Sequence, residues 1–143
     1  MPNFITVFVC YRQKKKSIHL RMSLTSSSLS LHEKLKGKIE IKPKIKLTSK
    51  NLPLLYTPGV AEVAREIAKD PKKASKYTIK NNTIAIVTDG SRLLGLGNQG
   101  PYAALPVMEG KALLFKELAD LNAFPICLNT QEPKAFIETV KAI

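Results

Sequence analysis

The sequence has no tryptophan, only two cysteines and two histidines, and 6% aromatic residues. Cys10 and Cys127 form neither a disulfide framework nor a metal-ligand spacing, so the expected setting is a reducing cytoplasm. His19 and His32 have no second ligand at helical or loop spacing, and each reads as a solvated surface residue. No apolar run approaches the roughly 20 residues that a membrane span needs. Acidic residues are scarce too, with 11 Asp and Glu against 23 Lys and Arg, for a net charge of +12.

That excess is unevenly placed. Residues 1–50 hold 12 basic and 2 acidic side chains, whereas residues 51–143 hold 11 and 9. The basicity therefore belongs to a leader, and the rest is nearly balanced. A basic arm can contact phosphates non-specifically, but here it has no interleaved aromatics and no helix-turn-helix, RNP or zinc pattern. Nucleic acid is not the expected partner. What remains is an ordinary globular composition, 44% apolar and 24% charged over 143 residues, fitting one domain or one piece of a larger protein.

The first 21 residues, "MPNFITVFVCYRQKKKSIHLR", place an apolar run before a basic cluster, the reverse of a secretory signal. They read as a disordered extension or as sequence upstream of a true start at Met22, a transit peptide being the alternative. A Ser-rich linker follows, so 1–30 is expected to be extension and 31–143 the domain. Leu31–Lys36 reads as a short helix ended by Gly37. "KIEIKPKIKL" alternates with period two, the pattern of a half-buried strand, and Pro43 confines it to an edge or divides it. Thr57 reads as an N-cap, with Pro58 in the first turn of a helix that turns Val60, Val63, Ala64 and Ile67 to one side. Asp70-Pro71 stops it and begins another, to about Tyr77. "TIAIVTD" reads as a buried strand, Pro106–Ala119 as a helix with its proline in the first turn, "AFPICLN" as a strand, and Glu132–Ala142 as an amphipathic helix. Alternating strands and helices predict an α/β fold with a small, at least partly parallel sheet flanked by helices.

Gly95-Leu96-Gly97-Asn98-Gln99-Gly100 has the G-x-G-x-x-G spacing of a dinucleotide fingerprint. In that fingerprint the first glycine ends a strand, the last opens a helix, and an acid about 20 positions on holds the ribose. Here the strand ends well before Gly95, the helix is expected after Pro101, and Asn129 stands at the end of the next strand. The three glycines therefore read as a structural turn.

The motifs "LLYTPGVAEVAREIAKDP", "VTDGSRLLGLGNQGPYAALPVMEGKALLFK" and "NAFPICLNTQEP" resemble, in order and spacing, the N-terminal domain of malic enzymes of the compact prokaryotic type, from about Leu31 to Ile143. The resemblance implies oxidative decarboxylation of (S)-malate to pyruvate and carbon dioxide, with NAD or NADP and with Mg²⁺ or Mn²⁺. It also implies a neighbouring Rossmann domain, an active site in the cleft between the two, and a homodimer or larger assembly. Tyr56 matches the tyrosine that protonates C3 of enolpyruvate, and Lys111 the lysine that takes the C2 hydroxyl proton. Arg92 aligns with an arginine that holds a substrate carboxylate in the larger eukaryotic enzymes, and the compact relatives often differ there. Within the family, the glycine loop belongs to the substrate side and would help place Arg92 and Lys111.

The residues alone leave other readings open. Tyr56 could staple a helix start, Arg92 could pair with Asp89, and Cys127 fits a small core position. Lys111, flanked by Val107, Met108 and Ala112–Phe115, is either snorkelling or buried. If Lys111 is a base, burial or a charged neighbour must lower its pKa. Neither Asp89 nor Glu109 matches the family's metal-ligand motif, and the Rossmann domain has no counterpart here. The expectation is a truncated or split malic enzyme, inactive alone and binding no metal or dinucleotide stably, with a face exposed. The alternatives are a binding or dimerisation module without catalysis, a fragment of a malolactic-type enzyme, and a basic-arm nucleic-acid binder.

Overall fold

The computed structural model describes residues 18–143, and the readings for residues 1–17 lie outside them. The chain divides into two compact units, up to Lys36 and from Gly37 onward. The first holds one described helix, α1 (Ile18–Leu35). It runs through the Ser-rich segment expected to be linker, and the anticipated helix at Leu31 is only its last turns. His32 and Lys34 sit in its last turn, where positive charge suits the helix dipole. His32 Nδ1 lies 2.7 Å from the Ser28 carbonyl, and the residue is half-buried rather than fully solvated.

The second unit begins with an extended stretch. No strand forms in "KIEIKPKIKL", because a strand needs a partner and Pro43 lacks the donor one would use. Ile41 is left 80% exposed. Thr48 and Asn51 then bond each other, the Thr48 N–H to Asn51 Oδ1 at 2.8 Å and the Asn51 N–H to Thr48 Oγ1 at 3.3 Å. This turn starts the single-turn helix α2 (Leu52–Leu55). Helix α3 (Val60–Lys69) has Gly59 as its N-cap, so neither Thr57 nor Pro58 is its N-cap or in its first turn. Its amphipathic pattern is present, yet only Val63 and Ile67 of the expected face are half-buried while Val60 and Ala64 stay exposed.

Asp70 accepts from the Lys72 N–H at 3.1 Å and opens a 3-10 turn at Pro71–Lys73 that runs into α4 (Ala74–Tyr77), as expected. A second 3-10 turn (Ile79–Asn82) leads into β1 (Thr83–Thr88). Helix α5 (Gly100–Ala119), strand β2 (Asn122–Cys127) and helix α6 (Pro133–Ala142) complete the chain. The strands pair in parallel, Thr83 opposite Asn122 through to Thr88 opposite Cys127, with α5 as the crossover that parallel pairing requires. The parallel α/β prediction is met.

Two expectations about this unit need correction. Helix α5 starts at Gly100, and Pro106 lies inside it. The proline deprives only the Tyr102 carbonyl of its helical donor, and Tyr102 is 81% exposed, within reach of water. Strand β1 is half-buried rather than buried, with Ala85 exposed. Parallel sheets are normally covered on both faces, but here α5 covers one. Ala104, Met108 and Ala112 of α5, spaced four apart, form with Ala123 and Leu93 the buried apolar core. Three of these five are alanines, which lets the helix lie close to the strand, and Met108 and Leu93 are the two large side chains among them. The other sheet face carries a shallow hollow of about 410 Å³ lined by Ile79, Ala85, Phe124, Ile126 and Ile143 among others. Cys127 is half-buried, not fully in the core, and burial pushes its thiol pKa up.

Candidate active site

In open α/β sheets, ligands bind beyond the carboxyl ends of the strands. In this chain those ends lead into the loop from Asp89 to Gln99 and the loop from Leu128 to Glu132. Thr88 and Leu128 continue the ladder, with the Leu128 N–H donating to the Thr88 carbonyl at 2.8 Å. Asp89 then turns away: its Oδ1 accepts from the Ser91 N–H at 2.9 Å and the Ser91 hydroxyl at 2.7 Å. The hydroxyl bond first, then the amide, hold the Asp89 carboxyl below its ordinary range. The alternative pairing of Arg92 with Asp89 is not made. Arg92 is exposed, and no ion pair among the described residues uses it.

Gly90 is the pivot of this loop. Its φ is +72°, and a Cβ there would fall 2.0 Å from the Gly100 carbonyl oxygen. Only glycine permits both the left-handed backbone and that approach. The Gly90 carbonyl accepts from Gln99 and Gly100 N–H groups at 3.1 and 3.3 Å, closing the loop on the start of α5. Leu93, 5% exposed, anchors its stem. Leu94, Gly95, Gly97 and Gly100 all have positive φ.

Gly100 thus opens a helix after all, which meets one of the fingerprint's three conditions. The other failures persist, since β1 ends at Thr88 and Asn129 follows the β2 ladder. The loop does not fit a dinucleotide.

Tyr56 lies at the elbow between α2 and α3. Its N–H donates to the Leu52 carbonyl at 2.9 Å and its carbonyl accepts from the Val60 N–H at 2.8 Å. The elbow closes tightly because Gly59 has no side chain, and a Cβ there would meet the Pro53 carbonyl at 2.6 Å. The backbone is thereby fixed on both sides while the ring remains 67% exposed. Stapling a helix start is not its role, since the ring is not packed.

Lys111 is exposed on α5. It shares a helix face with Met108 and Phe115, at the three- and four-residue spacings that place side chains together. Its stem therefore leaves an apolar rim, the snorkelling arrangement, rather than a buried one. One residue braces α5 nearby with two bonds: the Lys38 N–H donates to Glu109 Oε2 at 3.2 Å and Lys38 Nζ to the Pro106 carbonyl at 2.7 Å. Glu109, half-buried and occupied in this way, is a brace that sequence reasoning had considered only as a failed metal ligand.

No hydrogen bond or ion pair joins Tyr56, Arg92 and Lys111 among the described residues, and none of the three lines the hollow under the sheet. All three are exposed. Among the described residues, no three His, Cys, Asp or Glu side chains gather to hold a metal ion. No helix there is long and apolar enough to cross a membrane.

The malic enzyme N-terminal domain model matches residues 36–139. The chain belongs to the malic enzyme family. It is 58% identical over 75% of its length to an NAD-dependent malic enzyme of Geobacillus stearothermophilus. It is 52% identical over 85% of its length to a bifunctional malic/malolactic enzyme of Bacillus subtilis. The crystal structure of the NAD-dependent malic enzyme of Thermotoga maritima superimposes with a TM-score of 0.79 at 56% identity, covering 80% of this chain and 33% of that one. The chain spans only 23% and 30% of the Geobacillus and Bacillus relatives. The family resemblance read from the motifs is thus confirmed over the region where they lie.

Proposed function

We propose that this chain supplies the malate-side half of an NAD- or NADP-dependent malic enzyme site. The observation that carries this reading is the state of Tyr56, Arg92 and Lys111. Tyr56 stands on a hydrogen-bonded elbow and Lys111 on α5, all three side chains are exposed, and no ion pair among the described residues uses them, although all three lie within the matched malic enzyme domain.

In this reading the Arg92 guanidinium holds a malate carboxylate, a planar ion it can meet with two parallel hydrogen bonds. Lys111 takes the C2 hydroxyl proton. Tyr56 returns a proton to C3 of enolpyruvate. A metal ion and a dinucleotide would be supplied from outside the described residues. The Gly95, Gly97 and Gly100 turn shapes the loop. A cytoplasmic setting and a homodimeric complete enzyme go with the same reading. The Bacillus relative, by its name, also acts as a malolactic enzyme, so lactate is the alternative product.

The test is to incubate the purified 143-residue chain with L-malate, Mg²⁺ and NAD or NADP. No reduced nucleotide, pyruvate or lactate should form, and turnover by the chain alone would overturn the division of labour.

A further inference from the structure

The glycine loop is poorly held for a segment that leads from Arg92 into α5. A Cβ at Gly95 or Gly97 would have nothing within 4 Å, and Leu94 and Leu96 are 67% and 66% exposed. Its backbone bonds run within Gly90–Gly100, and Gln99 Nε2 returns to the Leu96 carbonyl at 2.9 Å. Among the described residues, one contact alone ties Leu94–Gln99 by hydrogen bonds to another part of the chain. Asn98 Nδ2 donates to Gln131 Oε1 at 2.8 Å, and Gln131 Nε2 donates to Asn98 Oδ1 at 2.8 Å. Asn98 Oδ1 also accepts from the Gly100 N–H at 3.2 Å, which orients that amide.

This reciprocal pair spans the two loops at the carboxyl ends of β1 and β2. The opposite ends of the same strands are clasped by Asn82, Asp120 and Lys116, with Asn82 Nδ2 donating to the Asp120 carbonyl at 2.5 Å and Lys116 Nζ pairing with the Asp120 carboxylate at 2.5 Å. That clasp joins element ends that are already packed. Among the described residues no other side-chain hydrogen bond joins these two loops, which lie at the strand ends where open α/β sheets bind ligands.

The geometry points to Asn98 and Gln131 as a latch that positions the glycine loop, and with it Arg92, for a dicarboxylate ligand. The ligand part of this inference rests on the malate-side reading, whereas the latch itself does not. Two amides in register exchange both donors and both acceptors, so losing either side chain removes both bonds. Neutral hydrogen bonds of this kind correspond to about 3- to 10-fold in a local opening equilibrium.

Amide hydrogen exchange on the full chain separates the possibilities. Asn98→Ala and Gln131→Ala should each speed exchange at the Leu96 and Gln99 amides about 3- to 10-fold, with no further gain in the double variant. The exchanged pair, Asn98→Gln with Gln131→Asn, keeps the combined side-chain length and should restore most of the protection. Unchanged exchange in both single variants, or additive effects in the double, would overturn the latch. L-malate should slow exchange at the same amides, and Asn98→Ala should raise the malate concentration needed about threefold with no change in the unfolding midpoint. If Arg92→Ala abolishes the malate effect while the amide variants exchange normally, the latch fails and the site reading stands. If malate acts equally on the unaltered chain and on Arg92→Ala, the site reading fails, and the latch's link to ligand falls with it.

Discussion

Residues 37–82 and residues 83–143 belong to one compact unit but are built on different terms. The first stretch, which carries Tyr56, contains no buried residue, whereas the second, which carries Arg92 and Lys111, contains every one. The first is organised by backbone elbows, turns and surface ion pairs such as Lys73 Nζ to Glu66 at 2.5 Å. The second is organised by a helix packed on a parallel pair. One proposed catalytic group therefore rides on local hydrogen bonding, and the other two ride on a core.

The contrast can be broken most severely at Gly90. Gly90→Ala would force a Cβ against the Gly100 carbonyl in a left-handed backbone, and a loss of about 3 kcal/mol or more is expected in urea unfolding. Met108→Ala, at a position 5% exposed, should cost about 2–3 kcal/mol by the same measurement. Leu54→Ala, at a position 74% exposed in the first stretch, should stay within about 0.5 kcal/mol. Equal losses at positions 54 and 108 would erase the distinction.

Glu109→Ala tests the seam between the stretches. It removes the carboxylate that accepts from the Lys38 N–H. Limited proteolysis between residues 38 and 50 should speed up while the unfolding midpoint barely moves.

The smallest effect is one of pH. Glu132 caps α6 by accepting from Ala135 and Lys134 N–H groups at 2.6 and 2.9 Å. These bonds, Ala135 first, hold its carboxyl below the ordinary range. A depressed carboxyl stabilises the folded form above its unfolded pKa, and that contribution is lost as pH falls through the folded value. Protection of the first α6 amides should thus decline in acid below about pH 4, and Glu132→Ala should remove the cap without removing the other carboxylate titrations.

The βαβ unit was legible because its strands and helix have distinct periods and lengths, and α6 because Glu132-Pro133 marks a helix start. The misread elements share a cause. "KIEIKPKIKL" has strand periodicity, but periodicity cannot supply a partner strand. Pro106 looked like a helix boundary, yet a single exposed Tyr102 carbonyl lets the helix run through it. Thr57 and Pro58 have helix-start composition, while the backbone spends them on the elbow at Tyr56. The proposed site residues Tyr56, Arg92 and Lys111 rest on family motifs, not on any local physical signal. The Asn98–Gln131 pair was not legible, because two ordinary polar residues that far apart carry no pattern until the parallel strands bring their loops together.

The central claim is that this chain presents a malate-binding face made by Arg92, Lys111 and Tyr56. An NMR titration with L-malate tests it directly. The account predicts shifts concentrated at these three residues and in the glycine loop, largely lost in Arg92→Ala. Shifts confined to other surfaces, or a response unchanged in Arg92→Ala, would contradict it.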